Sequence, residues 1–170
     1  MDIMSYLLGK KSSGGGADLS KYFTPAISSG ASSASGAAAM LKTIPEDTIV
    51  SGTSLNYAFS NCSNLISIPF IDTSNVGSVQ NMFSGCTNLM TVPILDFSNV
   101  TNIRNVFKNC PSLSDASLDN ILQMCIGATS YASAKTLANL GLTSTDYPTS
   151  RIEALPHYSA FTSAGWTIGY

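Results

Sequence analysis

The stretch Met82-Phe83-Ser84-Gly85-Cys86-Thr87-Asn88-Leu89 decides the fold, because the chain carries it three times. Ala58-Phe59-Ser60-Asn61-Cys62-Ser63-Asn64-Leu65 precedes it and Val106-Phe107-Lys108-Asn109-Cys110-Pro111-Ser112-Leu113 follows, at a constant spacing (83 − 59 = 24 and 107 − 83 = 24). Between the copies Ile68-Pro69 returns as Val92-Pro93, and Asp72-Thr73-Ser74-Asn75-Val76 returns as Asp96-Phe97-Ser98-Asn99-Val100. The whole unit therefore repeats. A weaker copy, Leu41-Lys42-Thr43-Ile44-Pro45, lies 24 residues before Leu65-Ile66-Ser67-Ile68-Pro69 (65 − 41 = 24) and lacks the Phe and Cys, as an atypical first turn does.

A unit this short cannot bury its own apolar face, so the copies must stack into a small solenoid. Val76, Val79, Met82 and Phe83 fall at i, i+3, i+6 and i+7, as do Val100, Ile103, Val106 and Phe107, and this spacing predicts a short helix. Ser74 and Ser98 stand where its N-cap belongs. Leu65 to Ile68, stopped by Pro69, is the expected strand. The expected fold class is α/β: a short solenoid with parallel strands on one face and short helices on the other, capped by C-terminal helices and a strand.

Outward from the repeats, Ser12 to Gly16 and Ile27 to Ala39 are rich in Ser, Gly and Ala and read as linker. The expected organisation is an N-terminal helical anchor at 1–11, a linker at 12–40, the solenoid at 41–125 and a C-terminal cap at 126–170. Leu118, Ile121, Leu122 and Cys125 have helical spacing, Thr136 to Leu140 forms a second short helix stopped by Gly141, and a third runs from Ser150 towards Ala160, interrupted by Pro156. Trp166 to Tyr170 is strand-like.

Charged residues are 11% of the 170-residue chain, against a hydrophobic share of 44%. That is under half the roughly 25% charge of an average soluble domain. Hydroxyls and amides therefore coat the surface. With a net charge of -2 and scattered Lys and Arg, no positive stripe exists to displace counterions from nucleic acid. No run approaches the roughly 20 apolar residues that span a bilayer, so no membrane partner is expected. Asp2 stands before the short apolar start and Lys10 and Lys11 behind it, the reverse of a secretory signal, so export by the ordinary route is not expected.

The cysteine column Cys62, Cys86 and Cys110 invites a metal reading, but zinc ligands converge as close pairs, whereas residues one repeat apart project in parallel. Parallel Cβ atoms about 5 Å apart also exceed disulfide geometry. Buried inert thiols are expected, in a structural ladder with Phe59, Phe83, Phe107, Leu65, Leu89 and Leu113. Asn61, Asn64, Asn88 and Asn109 are expected to close turns with their amides, and Asp72 and Asp96 to bond the backbone at a turn. His157 is the sole histidine, placed by Pro156 in a surface turn. No catalytic motif, metal set or cofactor is expected, and Asn61-Cys62-Ser63 and Asn99-Val100-Thr101 count for little as glycosylation acceptors without export.

The pattern Phe-x-x-Cys-x-x-Leu-x-x-Ile-Pro, then Asp-x-Ser-Asn-Val and a segment ending in Met-Phe, resembles the BspA-like leucine-rich-repeat family over roughly residues 41 to 125. The start Met4-Ser5-Tyr6-Leu7-Leu8-Gly9-Lys10-Lys11, the Gly-rich linker and the end Gly165-Trp166-Thr167-Ile168-Gly169-Tyr170 are similar to short phage-encoded tail-region versions. The resemblance implies a non-enzymatic virion protein, tail- or fibre-associated. It would dock on other virion proteins through Ile3, Met4, Leu7 and Leu8 and display the repeats to host-surface carbohydrate or protein, as a homo-oligomer, a trimer by analogy. A bacterial surface or partner-binding adhesion module is the alternative.

Overall fold

The computed structural model describes residues 26–27, 42–44, 46, 48–50 and 52–170. The expected anchor, with Ile3, Met4, Leu7 and Leu8, lies outside the described residues, as does the linker save for one pair. That pair forms β1 (Ala26–Ile27), which runs parallel to β2 (Ile49–Val50) in register Ala26 to Ile49.

The chain then climbs in rungs. From Leu55 onward the buried side chains come every third residue: Leu55 and Ala58, then Phe59, Cys62, Leu65, Ile68 and Ile71. After a slip of phase at Thr73 the next rung repeats the series with Val76, Val79, Met82, Phe83, Cys86, Leu89, Val92 and Leu95. The expected helices at Val76–Phe83 and Val100–Phe107 are absent. An i+6 residue lies about 240° round a helix from its start, whereas it returns to the same side of a chain that turns every three residues. Tight turns replace the helix, closed by bonds such as Met82 N–H to the Val79 carbonyl at 3.0 Å and Cys86 N–H to the Phe83 carbonyl at 3.0 Å. These turns need left-handed backbone. Tyr57, Asn81 and Asn105 hold φ of 58°, 53° and 58°, and Asn61, Gly85 and Asn109 hold 62°, 81° and 57°. Asn and Gly enter this region at little cost, which is why they recur there.

With the turns closed locally, the remaining backbone groups bond between rungs. The N–H groups of Leu55, Tyr57, Phe59 and Asn61 donate to the carbonyls of Ser78, Gln80, Met82 and Ser84, at 2.9, 2.9, 2.9 and 2.7 Å. Val79, Asn81, Phe83 and Gly85 do the same to the next rung. Parallel strand pairing within the repeats is confined to single bridges, Ser54 to Ser78, Ser78 to Asn102 and Ser67 to Thr91. The expected continuous strand at Leu65–Ile68 is thus cut to one bridging residue. Ser74 and Ser98 cap no helix; their N–H groups are bound by the Asp72 and Asp96 carboxylates at 3.0 and 2.8 Å.

The C-terminal segments continue these columns with different elements. Helix α1 (Asp115–Gly127) carries Leu118, Ile121, Leu122 and Cys125 inward and is capped by Ser114, whose hydroxyl accepts from Ser117 N–H. The Ser117 hydroxyl donates to the Met90 carbonyl at 2.8 Å and accepts from Val92 N–H at 2.9 Å, replacing a rung's peptide with one side chain. A 3-10 turn at Leu137–Leu140 receives Asn105 and Phe107 N–H on the Asn139 and Leu140 carbonyls. It ends at Gly141, with φ of 86°, where an added Cβ would lie 2.7 Å from the Lys108 backbone. Helices α2 (Thr149–Glu153) and α3 (Tyr158–Ser163) divide around Pro156. The expected last strand is one bridge, Thr136 to Thr167. Tyr131, Trp166 and Phe161 stack at 5.6 and 5.9 Å to close the far end of the core.

Candidate interaction face

A chain that turns inward every third residue must push the residue beside each inward position outward. Where the sequence sets two large apolar residues together, one of them meets water. Leu65 and Leu89 are fully buried, so their neighbours Ile66 and Met90 are each 50% exposed. Ile71 and Leu95 are buried in the same way, leaving Phe70 at 65% and Ile94 at 46%. Pro69 and Pro93 precede the latter pair, each with its own φ fixed by its ring.

Ile66 and Met90 stand one above the other on consecutive rungs, and Phe70 and Ile94 come four residues further along the same two rungs. Met90 N–H donates to the Ile66 carbonyl at 2.8 Å, Ile66 N–H to the Lys42 carbonyl at 3.3 Å, and Ser114 N–H to the Met90 carbonyl at 3.1 Å. A shallow groove of about 340 Å³ follows this column, lined by Lys42, Ile66 and Met90 on one side and Asn64, Asn88 and Ser112 on the other. Its polar wall is fixed from rung to rung. Asn88 Nδ2 donates to the Ser63 carbonyl at 2.8 Å and the Ser112 hydroxyl to the Thr87 carbonyl at 2.7 Å. Such a wall is set before any partner arrives, so little side-chain ordering is required on binding.

The ladder residues face the other way. Phe59, Phe83 and Phe107 stack at 5.5 and 5.8 Å with rings within 5° and 10° of parallel, all buried. Cys62, Cys86, Cys110 and Cys125 are free thiols in the core, and Leu65, Leu89 and Leu113 pack with them. Burial pushes the Cys110 thiol up to about 12, and the adjoining Cys62 together with burial pushes Cys86 up further. Thiols held protonated this way are poor nucleophiles and poor metal ligands. Among the described residues no cluster of His, Cys, Asp and Glu could hold a metal ion, and no helix is long and apolar enough to cross a membrane.

Of the four asparagines expected to close turns with their amides, Asn61 and Asn109 act instead through their left-handed backbone, and Asn88 bonds the rung below. Asn64 lines the groove. Asp72 is bound by Ser74, which holds its carboxyl below the usual range. His157 is tied to α1, its ring Nδ1 2.7 Å from Asp119 Oδ2 and its N–H on Asp119 Oδ1 at 2.9 Å. The exposure of Ile66, Phe70, Met90 and Ile94 was not foreseen from the sequence. Its signal was the doubled apolar residues Leu65-Ile66, Leu89-Met90, Phe70-Ile71 and Ile94-Leu95, which only a three-residue turn makes legible.

A stacked, hydrogen-bonded array with buried thiols and a groove edged by exposed apolar side chains is a repeat-built binding module. Residues 44–155 match the model of the BspA type leucine rich repeat region in 6 copies, and the chain belongs to that family. The match runs on past Cys125 through α1 and the 3-10 turn, the segments that complete the columns. Leucine-rich-repeat proteins of this kind are generally non-enzymatic. No curated protein and no solved structure matches the chain.

Proposed function

We propose that this chain is a non-enzymatic phage virion protein, associated with a tail or fibre, that displays its repeats for adhesion to a host surface. The observation that carries the recognition role is the exposure of Ile66 and Met90 along a groove whose polar wall is already bonded in place. Folding alone gives no reason to turn large apolar side chains to water at the same place on consecutive rungs, as Ile66 and Met90 are, and exposed apolar patches mark interaction surfaces. The virion setting rests on the flanks: an apolar start with Ile3, Met4, Leu7 and Leu8, a Gly-Ser segment giving reach, and the Gly-Trp-Thr-Ile-Gly-Tyr end. In this reading the first segment docks on other virion proteins, the chain is made in the host cytoplasm, and the repeats meet surface protein or carbohydrate.

The second reading is a bacterial surface or partner-binding adhesion module, which the family's repeat favours by itself since it carries no mark of a particle. Mass spectrometry of purified particles separates the two. Peptides from this chain in washed particles support the first, and their absence from particles but presence on cell envelopes supports the second. Deleting residues 1–16 is expected to leave the melting temperature unchanged and to abolish incorporation; normal incorporation of the truncated chain would remove the docking role.

A further inference from the structure

We infer that the groove between the Ile66 and Asn88 columns takes a short stretch of acidic glycan, with a sugar carboxylate seated at Lys42. The inference rests on the recognition role given above to this groove and names its ligand class. Lys42, Ile66 and Met90 stand 24 residues apart on one wall, and Asn64, Asn88 and Ser112 at the same spacing on the other. Two residues of extended chain separate the walls, about 7 Å, and two rung steps separate Asn64 from Ser112, about 10 Å. A volume of about 340 Å³ is that of a small-molecule site. A stable protein partner would cover about 800 Å² on each side, many times this face.

The charge is one-sided. Among the described residues Lys42 is the one charged side chain on the lining, and it is exposed and makes no ion pair. One cation at the end of a neutral groove complements a ligand with one anionic group, and it cannot match the phosphate on every unit of a nucleic acid. The polar wall both donates and accepts. Asn88 gives one amide N–H to the Ser63 carbonyl and keeps the other with its amide oxygen, and Ser112 gives its proton to the Thr87 carbonyl and keeps its lone pairs. Neighbouring sugar hydroxyls need that mixture, while Ile66 and Met90, each 50% exposed, meet the C–H face of a pyranose ring. An extended peptide fits worse. The N–H groups of Ile66, Met90 and Ser114 and the carbonyls of Lys42, Ile66 and Met90 are already spent between rungs, so no ladder edge is left for peptide groups to join.

The test is a panel of immobilised glycans, acidic and neutral, probed with the full chain at low and high salt. Uronate- and sialate-bearing glycans are expected to bind, less well at high salt, and their methyl esters about tenfold more weakly. Lys42→Gln should reproduce that loss, while Lys108→Gln, which removes an equal charge outside the groove, should leave binding unchanged. Asn88→Ala and Ile66→Ser should weaken acids and esters alike with melting temperature little changed, since both side chains are exposed. Binding to no glycan of the panel, or binding indifferent to Lys42→Gln, would overturn the inference. Attachment to host cells reads the recognition role separately: periodate oxidation of surface sugars should abolish it and protease treatment should not. Should protease abolish attachment and periodate spare it, while Ile66→Ser with Met90→Ser also abolishes it, the glycan falls and the recognition role stands. Should the panel stay blank and that double variant attach normally, both fall.

Discussion

Cys110 donates its thiol proton to the backbone carbonyl of Phe83, 3.1 Å away and one rung below, and Cys86 does the same to Phe59. The cysteine column is thereby a hydrogen-bond ladder as well as packing. Each thiol binds a carbonyl that the turn has already engaged once, through Cys62 and Cys86 N–H at 3.1 and 3.0 Å. Cys86→Ala removes that bond and leaves a small void, and is expected to cost about 1–3 kcal/mol. Denaturant titration measures it. In the native protein all four thiols should resist a thiol reagent until unfolding, whereas prompt modification of Cys86 would contradict its placement.

Stability should fall at alkaline pH. Burial pushes both the Cys110 thiol and the Tyr147 hydroxyl up to about 12. Each is neutral when protonated, and its folded value lies above its unfolded one, near 9.0 for the thiol and 10.0 for the phenol. Their contribution is therefore complete below about pH 9 and is lost as pH rises through about 12. Denaturation midpoints measured from pH 7 to 11 should be flat and then decline, with Cys110→Ala showing the weaker decline.

Phe83 is stacked on both sides, by Phe59 and Phe107, and is fully buried. Phe83→Ala is expected to cost about 3–5 kcal/mol, because rigid rungs above and below cannot collapse into the gap. Lys108→Ala, on an exposed side chain, should change stability by less than about 0.5 kcal/mol. Equal losses at the two sites in thermal melts would remove the aromatic column from the core.

The left-handed positions give opposite outcomes for similar changes. Asn105→Gly should be close to neutral, while Asn105→Val should cost roughly 1–2 kcal/mol for a β-branched residue at φ 58°. Gly85→Ala should cost more than the conformation alone, since its Cβ would fall 2.5 Å from Asn61 Oδ1. Trimming the neighbour with Asn61→Gly should recover part of that loss in the double variant.

Tyr147 joins the last repeat to the C-terminal segments. Its hydroxyl donates to the Cys110 carbonyl and accepts from Leu113 N–H at 3.0 Å, with the Arg151 guanidinium 5.3 Å from its ring. Tyr147→Phe leaves a buried N–H and carbonyl short of a partner and should cost about 1–3 kcal/mol. Hydrogen exchange at Leu113 should rise more than at Phe59, two rungs away.

Repetition in the chain is enough to specify the array. The 24-residue period, the Phe, Cys and Leu columns and the Asp-x-Ser-Asn-Val segment can be satisfied only by stacking, because identical residues one period apart must meet identical neighbours. Sequence also determined the C-terminal elements, where the spacing of Leu118, Ile121, Leu122 and Cys125 and the stop at Gly141 are local signals. What the rungs are made of was decided by the tertiary structure. Val76, Val79 and Met82 suit a helix face loosely and a three-residue turn well, and the choice falls to the turn because its free N–H groups find carbonyls on the next rung, 24 residues away. Propensity and local spacing contain no term for that bond. The same long-range pairing decides which of two adjacent apolar residues turns inward, and so it alone sets Ile66, Phe70, Met90 and Ile94 on the surface.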